Sequence, residues 1–255
     1  MEAVTLLLLV GGWGPGELER ALDGAHRAAA RDLLESLLGT GMIGRAVVAT
    51  DDPAWGDTLA DLPVQLDLDP PEGGAFHFGR RLAGLIERYD ARAVLYSGGA
   101  SAPLLDVERW RQVLARLGEA ERLVVTNNLH SCDWVGFVPA GEVLPLVARQ
   151  GSDNAVAWAL AHEGGLPVED MPATAATRFD LDTPADLLIA ARHPGVGPHL
   201  RRFLDGLGWA APQLDGVLAA MAREGDSLAV VGRASAAAWA ALERATRCWV
   251  RVFAE

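Results

Sequence analysis

Short, almost continuous apolar runs alternate with longer stretches of helical periodicity through the first two thirds of the chain. Val4 to Val10 is apolar at nearly every position, which predicts a strand buried on both faces. The stretch from about Glu17 to Leu38 carries Leu18, Leu22, Leu33, Leu34 and Leu37 at helical spacing. The same patterning predicts strands over 45–50, 63–68, 91–97, 122–126 and 134–138, with helices over 76–89, 106–117 and 152–163. Apolar strands separated by helices predict a mostly parallel sheet covered on both faces, a three-layer α/β/α domain.

Proline and glycine cluster in His193-Pro194-Gly195-Val196-Gly197-Pro198 and predict a boundary, with one domain over 1–195 and a small, mainly helical α+β appendage over 196–255. In the appendage the pattern reads as two amphipathic helices over 200–223, a strand at 227–232, a helix at 235–244 and an alternating strand at 248–253.

Composition narrows the class. With 255 residues, 50% of them hydrophobic, the chain can bury a sizeable core. A formal charge of −12 without a basic run argues against a nucleic-acid footprint or an anionic membrane surface, so a small-molecule partner is expected. The apolar run at Val4 to Val10 is too short to span a bilayer, and Glu2 stands where a secretory signal needs a basic residue; a cytoplasmic location is the expectation. Cys132 and Cys248 make neither a disulfide framework nor a zinc pattern. There is no lysine, so Schiff-base chemistry is excluded and any side-chain cation holding a phosphate is arginine.

In open α/β sheets ligands bind beyond the carboxyl ends of the strands, which directs attention to the loops there. Gly11, Gly12 and Gly14 follow the first strand and either bring backbone N–H groups to a phosphate or serve a strand-to-helix turn. Gly99 and Ser101 follow a central strand, and Asp106 reads as the cap of the next helix. Asn128, Ser131 and Asp133 lie in a polar loop that offers ligand contacts, or only turn chemistry. His77, Arg80 and Arg81 open a helix within the Glu72–Arg81 segment, and Asp153 and Asn154 stand at another helix start. His130 and Cys132 are too isolated for a zinc site. No Gly-x-Ser-x-Gly elbow, Walker loop or His-Glu-x-x-His motif is present.

The most informative stretch is Arg178-Phe179-Asp180-Leu181-Asp182-Thr183-Pro184-Ala185-Asp186-Leu187. It sets two carboxylates two residues apart before a helix start in which Thr183 caps, Pro184 fits the first turn and Asp186 complements the dipole. In an extended backbone Asp180 and Asp182 share one face, opposite Phe179 and Leu181.

Asp-x-Asp-Thr-Pro-x-Asp-Leu resembles the late signature of the nucleotidyltransferase-like, GT-A-type fold, above all the small guanylyltransferases acting on phospholactate or the molybdenum cofactor. The resemblance spans this motif and a compatible order of elements over roughly the first 195 residues. It implies a metal ligand at Asp180 with Asp182 beside it, magnesium, and a nucleoside triphosphate or nucleotide sugar held near Gly11, Gly12, Gly14, Gly99, Ser101, Asn128 and Arg178. The implied reaction transfers a nucleoside phosphate to a small phosphorylated or carboxylated acceptor. Two departures stand out: the glycine loop lacks the family's arginine and lysine, and the acid of its Asp-x-Pro loop is replaced by Ala100 or Ser101. They keep open a glycosyltransferase of the same fold, and a non-catalytic nucleotide-binding or scaffold protein with a degenerate metal site.

Overall fold

The computed structural model describes residues 3–12, 14–69 and 76–253. They form two compact units, Met1–Leu207 and Gly208–Glu255. In the first unit the order is β1 (Val4–Val10), α1 (Glu17–Leu38), β2 (Ile43–Thr50), α2 (Pro53–Asp57), β3 (Gln65–Leu68), α3 (Phe78–Arg88), β4 (Val94–Gly98), α4 (Val107–Glu119), β5 (Leu123–Thr126) and β6 (Trp134–Val138). There follow α5 (Leu144–Ala148), α6 (Val156–His162), β7 (Val168–Asp170), α7 (Ala175–Arg178), α8 (Pro184–Ala190) and α9 (Pro198–Leu207).

The seven strands lie in the order β3-β2-β1-β4-β6-β5-β7. All run the same way except β6, which is antiparallel to both β4 and β5. Because β1 is buried on both sides, successive residues enter different cores. Leu6, Leu8 and Val10 pack with Leu33, Leu34 and Leu37 of α1 and Trp110 and Leu114 of α4. Leu7 packs with Phe78, Leu82 and Ile86 of α3, Val147 of α5 and Leu160 of α6. The expected three-layer α/β/α sheet is thus present.

α2, α5, β7 and α7, of three to five residues each, have no periodic pattern of their own and lie outside the expected elements. They form because longer elements hold them: β7, for instance, pairs with β5.

The break expected near residue 195 and the division between units fall at different places, for a local reason. Asp32 of α1 accepts from the backbone N–H groups of His199 and Leu200, both at 2.9 Å, and so caps α9. A Cβ at Gly197 would lie 2.2 Å from the Asp32 Cγ, so only glycine admits this approach. α9 therefore packs with the first unit.

The second unit contains α10 (Pro212–Met221), β8 (Ser227–Val231), α11 (Ala236–Ala245) and β9 (Trp249–Phe253), with β8 and β9 parallel. Every second position on these strands faces out, and Val231, Trp249 and Phe253 are 80%, 73% and 58% exposed. Among the described residues of the whole chain, no helix is long and apolar enough to cross a membrane.

One buried ion cluster fixes α3 to the sheet edge. Asp67 on β3, 4% exposed, accepts from Arg81 at 2.8 Å, Arg88 at 2.7 Å and the Tyr89 hydroxyl at 2.8 Å. Burial raises its pKa, but these donors outweigh it and hold the carboxyl below the ordinary value. A depressed carboxylate stabilises the fold fully above its unfolded pKa and loses that contribution as pH falls through the folded value. Asp67→Asn is therefore expected to cost about 3 kcal/mol at neutral pH. Urea unfolding should show the gap to wild type narrowing as the pH falls below about 4.

Candidate functional site

The chain proceeds outward from β1 to β2 and β3, then crosses to β4 on the other side of β1. The sheet order therefore reverses between β1 and β4, and the crevice beyond their carboxyl ends is where this architecture takes ligands. Two glycine loops meet there. A Cβ at Gly99 would lie 3.0 Å from the Val10 side chain and 3.5 Å from the His26 carbonyl oxygen, so the β4 loop needs glycine to close against β1 and α1.

Next to this crevice lies a cleft of about 760 Å³, lined by Gly11 and Gly12 from the β1 loop, Ala49 from β2 and Asp51 just after it, Tyr96 from β4, and Phe76, His77 and Arg80 at the start of α3. That volume suits a nucleotide-sized ligand. His77 caps α3, its Nδ1 accepting from the Arg80 N–H at 3.3 Å. Of the two arginines, Arg81 is bound to Asp67 and Asp69. Arg80 has no ion-pair partner among the described residues. Residues 72–75 of the segment expected here lie outside the described residues.

The β1 loop departs from a simple phosphate cradle. The Gly12 N–H donates to the Asp51 carboxylate, at 3.2 Å to Oδ1. Gly14 has a φ of 152°, a backbone that favours glycine, and Glu19 accepts from the Gly16 N–H at 2.7 Å. The nearby Arg27 is held by Asp23 and Asp52. At least one donor of this loop already faces an anion of the chain itself.

The other half of the site is acidic. β6 runs against the rest of the sheet, so the residue before it, Asp133, arrives at the same edge as the ends of β4 and β5. Its carbonyl accepts from the Ser101 hydroxyl at 2.8 Å and the Gly98 N–H at 3.3 Å. Its carboxylate accepts from the Asn127 amide at 2.6 Å, and Asn127 also donates to the Thr177 carbonyl at 3.1 Å. The β4 loop, which carries Ala100 and Ser101 and no acid there, is thus tied to the backbone of Asp133 on the neighbouring strand.

Asp180 and Asp182 lie between α7 and α8, outside any strand, with Leu181 fully buried between them. Thr183 is the N-cap of α8, as expected, and its N–H and hydroxyl both donate to the Asp186 carboxylate at 2.7 Å. Asp186 thus captures the terminal donor, the acidic half of a capping box. The Leu181 carbonyl accepts from His26 Nε2 of α1 at 2.8 Å, which fixes the Nε2–H tautomer. Burial lowers the His26 pKa, against the opposing pull of this hydrogen bond, Asp182 and Asp23.

Neighbouring carboxylates, Asp182 among them, add to burial in raising Asp133, Asp153 and Asp180. Asp180 is pushed up to about 6, first by burial, then by Asp182, Asp133 and Asp186. Asp133 is raised by burial and by Asp153 and Asp182, against the Asn127 hydrogen bond. Asp153 is raised mainly by burial although the Tyr96 hydroxyl donates to it at 2.9 Å. Arg178, at the end of α7, is 3.8 Å from Asp170 and lowers the Asp133 pKa, and its Nε is buried without a partner. The donors at this edge are carboxylate oxygens, a set suited to a hard divalent cation. Among the described residues no three His, Cys, Asp or Glu side chains converge on one metal position.

Of the residues singled out in the sequence, Gly11, Gly12, His77, Arg80 and Arg81 line one cleft. Asp180, Asp182, Asp133 and Arg178 form an electrostatic group. Other polar residues are engaged within the chain. Asn128 closes its own turn, accepting from the His130 N–H at 3.3 Å. Ser101 binds Asp133, Asp106 caps α4 by accepting from the Arg109 N–H at 2.8 Å, and Ser131 donates to Asn154 at 3.2 Å. Cys132 is buried with its thiol pushed up to about 12 by burial. Asn127 belongs to the polar loop marked in the sequence and reaches Asp133 six positions on, whereas Asp51 and His26 act through partners 39 and 155 positions away and leave no local signal.

No family model matches this chain, and no curated protein matches it in sequence. Solved structures do match its fold. A nucleotidyl transferase from Methanothermobacter thermautotrophicus superposes with a TM-score of 0.59 at 11% identity, covering 79% of this chain and 99% of that one. The 4-diphosphocytidyl-2C-methyl-D-erythritol synthase of Anaerococcus prevotii gives 0.52 at 9% identity, over 74% and 96% of the two chains. CMP:2-keto-3-deoxy-manno-octonic acid synthetase complexed with CTP gives 0.50 at 13% identity, over 75% and 100%. The sheet of this chain has the nucleotidyltransferase-like, GT-A-type fold.

A carboxylate raised from 3.8 to about 6 stabilises the fold while protonated, and that contribution is lost as pH rises through about 6. Asp180→Asn, whose amide cannot ionise, removes that loss. The fall in melting temperature between pH 5 and pH 7 should be smaller in the variant by about 2–4 °C, corresponding to about 1 kcal/mol after solvent screening. Equal falls in the two proteins would show that Asp180 carries no charge strain.

Proposed function

We propose that this chain, a nucleotidyltransferase-like fold, is a divalent-cation-dependent transferase that joins a nucleoside phosphate to a small phosphorylated or carboxylated acceptor. The observation that carries the reading is the crowding of Asp180, Asp182 and Asp133 at the edge of the sheet beside the cleft's crevice, with Asp180 raised to about 6. Such a group has a repulsion that a cation relieves. Asp180 and Asp182 would hold the ion. With at most two protein carboxylates, the remaining positions fall to water and phosphate oxygens, the usual manner of magnesium. Bound there, the ion would neutralise phosphate charge in the transition state.

The chain's own residues do the rest. Arg80 carries a positive charge into the cleft, and the buried Nε of Arg178 offers an unpaired donor near the acidic edge. Phe76, His77 and Tyr96 supply flat surfaces for a base or sugar. Asp133 supplies a carboxylate beside the β4 loop, which weakens the case for a degenerate site. No nucleophilic side chain is required, because positioning and charge neutralisation carry phosphoryl-type transfer.

A glycosyltransferase using a nucleotide sugar is favoured by a separate observation. The Gly12 N–H faces Asp51, and the chain has no lysine for a triphosphate tail. Products distinguish the two: pyrophosphate release marks nucleotidyl transfer, nucleoside diphosphate release glycosyl transfer.

Thermal unfolding with magnesium and each common nucleoside triphosphate tests the shared premise. At 100 times its dissociation constant a ligand stabilises by about 2.7 kcal/mol, a rise of about 5–10 °C for a domain of this size. Asp180→Asn should abolish the magnesium-dependent part of that rise. No rise with any nucleotide, or an unchanged rise in the variant, contradicts the proposal.

A further inference from the structure

We infer that His26 is a positioning residue for the Asp180–Asp182 corner, orienting its carboxylates for a divalent cation; this rests on the cation reading above. The corner lies outside any helix or strand, so no ladder of hydrogen bonds sets its course. Leu181 anchors it instead, through its fully buried side chain and through its carbonyl, which accepts from His26 Nε2 at 2.8 Å. A peptide unit is planar, so a donor fixed on the Leu181 oxygen also sets the direction of the bond leading into Asp182. One hydrogen bond thereby constrains the backbone between the two carboxylates.

The donor itself is rigidly mounted. His26 sits in the 22-residue α1, flanked by the buried Ala25 and Ala29. Its own carbonyl oxygen would lie 3.5 Å from a Cβ at Gly99, so the same residue abuts the β4 loop. α1 also begins directly after the glycine loop of β1. His26 thus links the three segments of the candidate site, and displacing its imidazole releases the one farthest away in sequence. Partners that orient metal-binding groups typically change metal affinity by 10–100-fold when lost.

The test measures manganese binding to the full chain by calorimetry, using His26→Leu, which keeps apolar bulk without a donor, and His26→Gln, whose amide nitrogen can reach the Leu181 carbonyl. The expected result is affinity at least tenfold weaker in His26→Leu and within threefold of wild type in His26→Gln. A smaller loss in His26→Leu, or equal losses in both variants, overturns the inference while leaving the cation site standing. Wild-type protein that binds no manganese removes the cation reading and this inference with it. Melting temperatures of both variants separate simple destabilisation, which lowers stability without distinguishing Leu from Gln in metal affinity.

Discussion

Because β1 sends Leu6 and Leu8 into one core and Leu7 into the other, neither of its faces can be left to water. Helices must cover both sides, and the connections that supply them leave β1 in one direction and return beside it in the other. The crevice between β1 and β4 is a consequence of that reversal. Gly99 is small enough for the β4 loop to close on Val10, and the β1 loop opens beside the cleft. The site is therefore located by the burial of a single strand before any polar residue takes part.

Charge then divides the site into two halves. On the β1–β3 side, arginines and carboxylates are largely matched: Arg81 and Arg88 with Asp67, Arg27 with Asp23 and Asp52. On the β4–β7 side, carboxylates accumulate faster than cations, and burial with mutual repulsion raises Asp133, Asp153 and Asp180 together. Partial burial makes this imbalance costly, since solvent screens it less than at an open surface. The proposed cation would relieve that imbalance, and the cleft of about 760 Å³ has the size for a nucleotide-sized ligand.

Much of the framework was legible in the sequence because it rests on local pattern. Val4–Val10, Glu17–Leu38 and Trp134–Val138 form elements with the expected limits, since their apolar spacing and their burial have the same cause. The direction of β6 was not legible: nothing in Trp134–Val138 says that it runs against its neighbours, and that direction is what carries Asp133 to the site. The apparent loss of an acid after β4 thus read as a defect, although a nearby strand supplies a carboxylate at the same edge. His26 was equally hidden, 155 positions from the carbonyl it holds. Asp51 was hidden because the pairing of β2 with β1, not its surroundings in sequence, sets it against Gly12.

On our proposal the Asp180–Asp182 corner forms the cation end of a nucleotide cleft centred on the β1–β4 crevice. Its most direct test is a crystal structure with manganese and CTP, with the metal located by anomalous scattering. The manganese peak is expected at coordination distance from an Asp180 or Asp182 oxygen and from a CTP phosphate, with the base in the cleft lined by His77 and Tyr96. Manganese bound away from both aspartates, or CTP bound outside that cleft, would contradict it.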